Sequence, residues 1–322
     1  MILERILAGG FGAAVALRNS MFDRGQLEAK RLQGPVVSIG NISVGGAGKT
    51  PFTILLGELL KHRGIPFDIL SRGYGRSTRG ARIVDPQGRT RDFGDEPLLM
   101  ARKLNVDVVV GESRYQAGLL AEKTWGPRLH LLDDGFQHRH LARQFDIVLV
   151  SAEDLDDVLL PAGRLREPLS SLRRATAIVI TGDTPTEKLP SNIAVWRLTR
   201  ELVIPKMNSI RPVVFCGIAK PRNFFEQVRA LGVIPAAEIA FRDHHRYRMS
   251  DIERLDRIAR QKNADACLTT AKDAINMGDL NGYEMWKKDF ALVVADLKLS
   301  LADSDRCLNE LLANLDARTT AD

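Results

Sequence analysis

The chain has 322 residues, enough for two domains and for a core that needs no covalent staples. Its 44% hydrophobic and 27% charged residues exclude collagen-like, low-complexity and wholly disordered architectures. A net charge of +6 favours an anionic partner, whether phosphate, nucleic acid or an acidic membrane surface.

The first 25 residues hold an uncharged run from Ile6 to Leu17. It is shorter than the ~20 apolar residues that cross a bilayer. Arg5 ahead of it suggests a signal peptide, but Glu4 and the lack of a small-x-small cleavage site argue against one. Two readings stay open. The residues alone favour a helix packed on the core. The other is an interfacial helix, with Leu3, Ile6, Leu7, Phe11, Val15 and Met21 on one face and Arg5, Arg18 and Arg24 near lipid headgroups. Gly9, Gly10 and Gly12 weaken any helix here.

Downstream, PVVSI at 35–39 predicts a buried strand, and a Gly-rich turn leads to a helix over 50–62. Apolar runs at 67–70, 106–110, 129–132, 147–150 and 177–180 predict further strands, with a helix over 114–123. This alternation implies a mostly parallel α/β sheet. The polar stretch 181–192 marks a boundary, and 194–204 reads as an isolated extended segment. A second α/β unit follows, with strands at 212–216, 266–269 and 290–294 and helices over 223–231 and 302–315. Cys216, Cys267 and Cys307 form no Cys-x-x-Cys pair and read as buried apolar residues of a reducing compartment.

The segment Ser43, Val44, Gly45, Gly46, Ala47, Gly48, Lys49, Thr50 lies between a strand and a helix, the setting a phosphate-binding P-loop requires. Its backbone N–H groups would cradle phosphate oxygens, Lys49 would reach the β- and γ-phosphates of ATP, and the Thr50 hydroxyl would ligate Mg²⁺. Ser43 replaces the usual first glycine. Asp133 and Asp134 end an apolar run, the place of the acids that hold Mg²⁺ in P-loop proteins.

A hydroxyl nucleophile also needs a proton acceptor, and Asp95 or Glu96 offers one, although local sequence favours Asp95 as a cap for the helix that Pro97 begins. In Asp243-His244-His245, spacing alone favours satisfied loop histidines over a metal site. Loop arginines such as Arg72 and Arg166 suit phosphate. Two rivals are a nucleotide-switch NTPase of the metallochaperone type and a nucleic-acid-binding ATPase module. The first lacks an Asn-Lys-x-Asp motif; the second conflicts with dispersed basic residues and 6% aromatics.

Together the motifs GNISVGGAGKTP (40–51), LSRGYGR (70–76), GDEP (94–97), DDGFQH (133–138), LREP (165–168), FRDHH (241–245) and TTAKD (269–273) resemble the tetraacyldisaccharide 4′-kinase family over nearly the whole chain. The resemblance implies transfer of the ATP γ-phosphate, with Mg²⁺, to the 4′-hydroxyl of an acylated glucosamine disaccharide 1-phosphate. The product would be lipid IVA, made peripherally at the cytoplasmic face of the bacterial inner membrane with no nucleic acid or obligate protein partner.

It also implies an α/β fold: a P-loop core (26–190) and a smaller C-terminal α/β domain (211–322). A two-stranded linker would join them, at 191–210 and near 290–299. By the same resemblance Asp95 is the base, His244 its partner, and Asp133 and Asp134 the Mg²⁺ acids. Arg72, Glu96, Arg114, His138, Arg166 and Glu167 fall near the active site, and residues 1–25 become a membrane-associating helix.

Overall fold

The computed structural model describes residues 2–206, 211–280, 283–289 and 291–319. Helix α1 (Ile2–Asp23) precedes a first α/β unit: β1 (Val36–Asn41), α2 (Lys49–His62), β2 (Phe67–Ser71), β3 (Arg82–Ile83), α3 (Thr90–Phe93), α4 (Asp95–Leu104), β4 (Val108–Val110), α5 (Arg114–Trp125), β5 (Leu129–Asp133), β6 (Phe145–Val150) and β7 (Ala177–Thr181). β8 (Ala194–Val203) leads to a second unit: β9 (Val213–Cys216), α6 (Pro221–Ala230), β10 (Ala237–Ala240), α7 (Met249–Gln261), β11 (Cys267–Thr270), α8 (Ala271–Met277) and α9 (Tyr283–Asp289). β12 (Leu292–Leu301) returns beside β8, and α10 (Ser304–Thr319) packs back on the first unit.

The strands run in the order β10-β9-β11-β12-β8-β7-β6-β1-β5-β2-β4-β3. β1 lies between β5 and β6, parallel to both. All six of its residues are buried, as expected of a parallel strand covered by helices on both faces. On one face Phe52, Leu56 and Leu60 of α2, spaced four apart, join Ile39, Leu98 and Leu311 in the main core. On the other, Ala117 and Ala121 of α5 pack on Val36, Val109 and Leu132. The second unit repeats the plan, with α7 on one face of β9 and β11 and α6 on the other.

The segment expected to be isolated is part of the sheet. β8 runs parallel to β7 through Leu198, then antiparallel to β12 from Leu198 to Val203. β12 pairs with β11 over its first four residues. Two long strands therefore connect the units. Of the strand expected at 290–294, Phe290 lies outside the described residues.

The N-terminal segment departs from the packed-helix reading. α1 is continuous through Gly9, Gly10 and Gly12, and only its far end is buried. Gly12 suits a close approach, since a Cβ there would sit 2.8 Å from Leu159. Phe22 is buried, with His140 against its edge and the Arg139 guanidinium over its ring. The expected apolar face is also redrawn. Phe11, Val15 and Met21 are half-buried, Arg18 turns inward to the Gln137 carbonyl, and Ile6, Leu7 and Leu17 stand exposed. The side chain of Leu3 lies outside the described residues. Among the described residues no helix is long and apolar enough to cross a membrane.

Candidate active site

Parallel strands gather ligand-binding groups at their carboxyl ends. Pairing of Ile39 with Asp133 puts that acid beside the loop after β1, and β2 adds Ser71 on the far side of β5. The two most distinctive motifs interlock here. A Cβ on Gly40 would meet the Phe136 Cβ at 2.5 Å, so only glycine admits that ring. Gly135 N–H donates to the Ile39 carbonyl and Gln137 Nε2 to the Asn41 carbonyl, both at 2.9 Å. The segment 164–166 flanks the loop: Val44 N–H donates to the Arg164 carbonyl, and Arg166 N–H to the Ile42 carbonyl.

Three charged groups and one amide form the phosphate end. Lys49 Nζ donates to Asn41 Oδ1 at 3.0 Å and lies 3.4 Å from Asp134. Arg166 forks onto both oxygens of Asp134, at 2.9 and 3.2 Å, and also donates to Asn41 Oδ1. Burial would raise the Asp134 pKa, but Lys49 and Arg166 together hold it well below the usual carboxylate range.

Asp133 differs. It is buried, its Oδ2 accepts from the Ser71 hydroxyl at 3.1 Å, and its Oδ1 has no partner. Burial, then the charges of Glu96 and Asp134, push it up to about 7.

An orphaned carboxylate oxygen beside two other acids fits a bound cation. Among the described residues no three His, Cys, Asp or Glu side chains cage a metal by themselves. Mg²⁺ needs no such cage, because it takes one or two carboxylates and completes its shell with water and phosphate oxygens. Asp133, Asp134 and the buried Thr50 hydroxyl fit that demand. Asp133→Asn removes the buried charge while keeping an acceptor for Ser71. It is expected to raise the thermal midpoint of the metal-free protein at pH 8 while lowering Mg²⁺-dependent turnover at least a hundredfold. Calorimetry and a steady-state assay check the two effects, and an unchanged rate would remove Asp133 from the metal site.

The proton-accepting end is built across the two units, where α4 packs against α8. Asp95 is not the cap of its helix, as local sequence suggests. Gly94 holds that position and Asp95 is the first helical residue, its Oδ1 taking the Glu96 N–H at 3.0 Å. The carboxylate is buried, with His244 Nδ1 at 3.0 Å and Asn276 Nδ2 at 3.2 Å, both on Oδ2. Burial raises its pKa, but the His244 hydrogen bond, the Lys272 charge and Asn276 together leave it below the ordinary value. His244 is shifted up, chiefly by that same hydrogen bond.

The loop-histidine expectation therefore holds for only one of the pair. His245 is bonded to Asp251 at 3.1 Å and stacked on Phe241, whereas His244 leaves its loop to reach the other unit.

Glu96 lies between the two ends, 3.8 Å from Lys272, and burial raises its pKa. Arg114 is buried near Asp133 and Asp134, its Nε without a partner and its pKa lowered by burial. His138 is pushed down to about 4 by burial and the cations around it, and so is neutral at physiological pH. Arg72 is exposed, close enough for its charge to act on Arg114.

Glu167 sits elsewhere, buried between Asn19 of α1 at 2.9 Å and Arg174 at 2.7 Å, where it anchors the N-terminal helix. Of the loop residues Ser43–Ala47, Ala47 is held through its carbonyl by Arg200 of β8 at 2.6 Å.

Sequence reasoning assigned no role to Asn41, Asn276, Lys272 or Arg200. Asn41 and Lys272 carried a signal, each lying inside one of the family motifs, GNISVGGAGKTP and TTAKD.

This fold and cleft define a P-loop α/β protein whose phosphate loop faces a carboxylate–imidazole pair, the arrangement of a phosphotransferase. The family profile described as "Tetraacyldisaccharide-1-P 4'-kinase" matches residues 1–316. The tetraacyldisaccharide 4'-kinase of Koribacter versatilis (strain Ellin345) is 49% identical, over 97% of this chain and 98% of its own. That of Aquifex aeolicus (strain VF5) is 38% identical over 84% and 87%. A crystal structure of LpxK from Aquifex aeolicus, described as an "apo" form in complex with ATP, superimposes with a TM-score of 0.76 at 33% identity, covering 96% of this chain and 97% of that one. The chain belongs to the tetraacyldisaccharide-1-P 4'-kinase family. It is a kinase, and the nucleotide-switch alternative is set aside.

Proposed function

We propose that the protein transfers the γ-phosphoryl group of ATP to the 4′-hydroxyl of tetraacyldisaccharide 1-phosphate, in the lipid A route to lipid IVA. The observation that carries the reading is the pairing of Asp95 with His244 across the cleft, in a chain whose phosphate loop supplies Lys49. Asp95 is held ionised at neutral pH and can take the hydroxyl proton as the sugar oxygen bonds to phosphorus and the bridging oxygen leaves with ADP. His244 orients the carboxylate. Lys49 meets charge on the transferring group, and phosphate oxygens entering the loop would relieve Asp134 of that lysine. Mg²⁺, when bound by Asp133, Asp134 and Thr50, would neutralise phosphate charge. Arg114, buried with an unpartnered Nε near Asp133 and Asp134, is a further donor for an anionic substrate.

The reading is tested by incubating the protein with Mg-[γ-³²P]ATP and tetraacyldisaccharide 1-phosphate in micelles. Label in the lipid supports it, and ATP consumption with unlabelled lipid contradicts it.

The same reading makes the protein peripheral at the cytoplasmic face of the inner membrane, held by α1. Support comes from Ile6 and Leu17, 65% and 64% exposed and eleven residues apart, which puts them on one side of a helix. Replacing both with Glu is expected to reduce cosedimentation with anionic vesicles at least tenfold while leaving the thermal midpoint within about 2 °C, because neither side chain is buried. Unchanged vesicle binding would exclude α1 as the anchor.

A further inference from the structure

Trp196, Leu198 and Arg200 occupy alternate positions of β8 and so share one of its faces. The first two are buried in the main core with Phe52 and Leu56 of α2. The third lies two residues beyond the last pairing with β7, at the carboxyl end of that strand, and opposite Leu299 of β12. The face that packs α2 onto the connecting strand therefore carries an arginine to the point where α2 begins, which is the phosphate loop.

The guanidinium arrives at the second half of that loop. Its Nη2 donates to the Ala47 carbonyl at 2.6 Å. A Cβ on Gly48 would sit 2.8 Å from the same nitrogen, and Gly48 has φ +83°, so glycine alone admits both the backbone turn and the arginine. The first half is held by other means, through the Val44 N–H on the Arg164 carbonyl. Gly45 and Gly46 between the two holds are exposed. Arg200 thus braces the half that leads into Lys49.

Its charge is unusual for the place. The N-terminus of a helix disfavours cations, and Arg200 shares that end of α2 with Lys49. Lys49 has Asp134 at 3.4 Å. Arg164, Arg200 and Lys220 line a cavity against the loop. Arg164 is paired with Asp157 and Lys220 with Glu153. Among the described residues no carboxylate pairs with Arg200; partial loss of water is what acts on its ionisation, and it lowers the pKa. A guanidinium left without a counter-ion beside a phosphate loop is stabilised by the anion that binds there.

We infer that Arg200 of the connecting strand is a positioning residue for the nucleotide: it holds the Ala47–Gly48 half of the phosphate loop in place, and so sets the affinity for ATP and ADP without taking part in the transfer. ADP is included because the contact is with the loop, whose backbone cradles the β-phosphate that both nucleotides carry. The inference stands on the loop and is independent of the acceptor and of Asp95 as the base.

The experiment compares wild type, Arg200→Met, Arg200→Lys and Arg197→Met. It measures equilibrium binding of Mg-ADP and Mg-ATP, then kcat with tetraacyldisaccharide 1-phosphate at saturating Mg-ATP. Arg200→Met is expected to bind both nucleotides about tenfold more weakly, the scale of one hydrogen bond from a charged donor. Its kcat at saturation should stay within about threefold of wild type, the pattern of a lost ground-state contact. Its thermal midpoint should stay within about 2 °C, because the side chain is exposed.

Arg200→Lys should recover most of the affinity, since an ammonium can still donate to the Ala47 carbonyl. Arg197→Met removes the same charge from the other face of the strand and should bind like wild type. Wild-type nucleotide affinity in Arg200→Met overturns the inference. So does an equal loss in Arg197→Met, or a loss confined to kcat at saturation. The binding comparison uses no acceptor, so it decides the matter even if the proposed acceptor is wrong.

Discussion

Asp95→Asn is expected to lower kcat about 10³-fold while leaving ATP affinity within about threefold of wild type, the span assigned to a positioned general base being 10²–10⁴. The amide keeps the shape of the carboxylate and can still accept from the Glu96 N–H, but it cannot take a proton. The nucleotide has no reason to notice, because the phosphate end is held by a separate set of contacts around Lys49, Asn41, Asp134 and Arg166. The substitution also removes a buried charge that His244 and Asn276 hold in place. Stability should therefore be least affected where Asp95 is already protonated. Its folded-state pKa is below the ordinary value, so its contribution is present above the unfolded pKa and is lost as pH falls through the folded one. Steady-state rates with equilibrium nucleotide binding check the split; a kcat within threefold of wild type removes Asp95 from the reaction.

Lys49→Met is the second large effect. Kcat/KM for ATP should fall about 10²–10³-fold, the cost of removing one preorganised donor from developing charge, equivalent to ~3–4 kcal/mol. The fold should survive. Asp134 keeps the Arg166 fork, and Asn41 Oδ1 keeps its bond from the same guanidinium. Lys49→Arg should not rescue, because Asn41, Asp134 and Arg166 already crowd the position and a planar fork cannot replace a point charge there. Full activity in either variant would end the account of the loop.

The residues most legible in the sequence were those whose chemistry is local. A glycine-rich loop between strand and helix needs no tertiary information, and neither does a pair of acids ending an apolar run. The strands of the first unit were legible because both faces are buried, so β7 reads as an apolar run up to Thr181 and β1 as a mostly apolar one interrupted by Ser38. Helix α7 was passed over although its buried Ile252, Leu255 and Ala259 recur at i, i+3 and i+7; the charged residues between them hid a regular helical face.

The partnership of Asp95 with His244 spans 149 positions. No spacing rule announces it; it came from a family resemblance. Asn276 was invisible for the same reason, since it donates to Asp95 of the other unit. Lys272 lay inside the TTAKD motif but was given no role, and it too reaches Asp95, at 3.9 Å. The N-terminal segment misled in a different way. Its glycines argued against a helix and its apolar residues argued for burial, yet the helix is continuous and Ile6, Leu7 and Leu17 face outward. Hydrophobicity names a surface that leaves water, not whether protein or lipid covers it.

The measurement that bears most directly on the account is single-turnover phosphoryl transfer to the lipid substrate by wild type, Asp95→Asn, His244→Ala and the double variant, at saturating Mg-ATP. If the base is one unit assembled across the cleft, the double variant will be as slow as Asp95→Asn, the losses being far from additive. Losses that multiply, or a His244→Ala variant transferring at the wild-type rate, would mean that the contact joins the two units without serving the reaction.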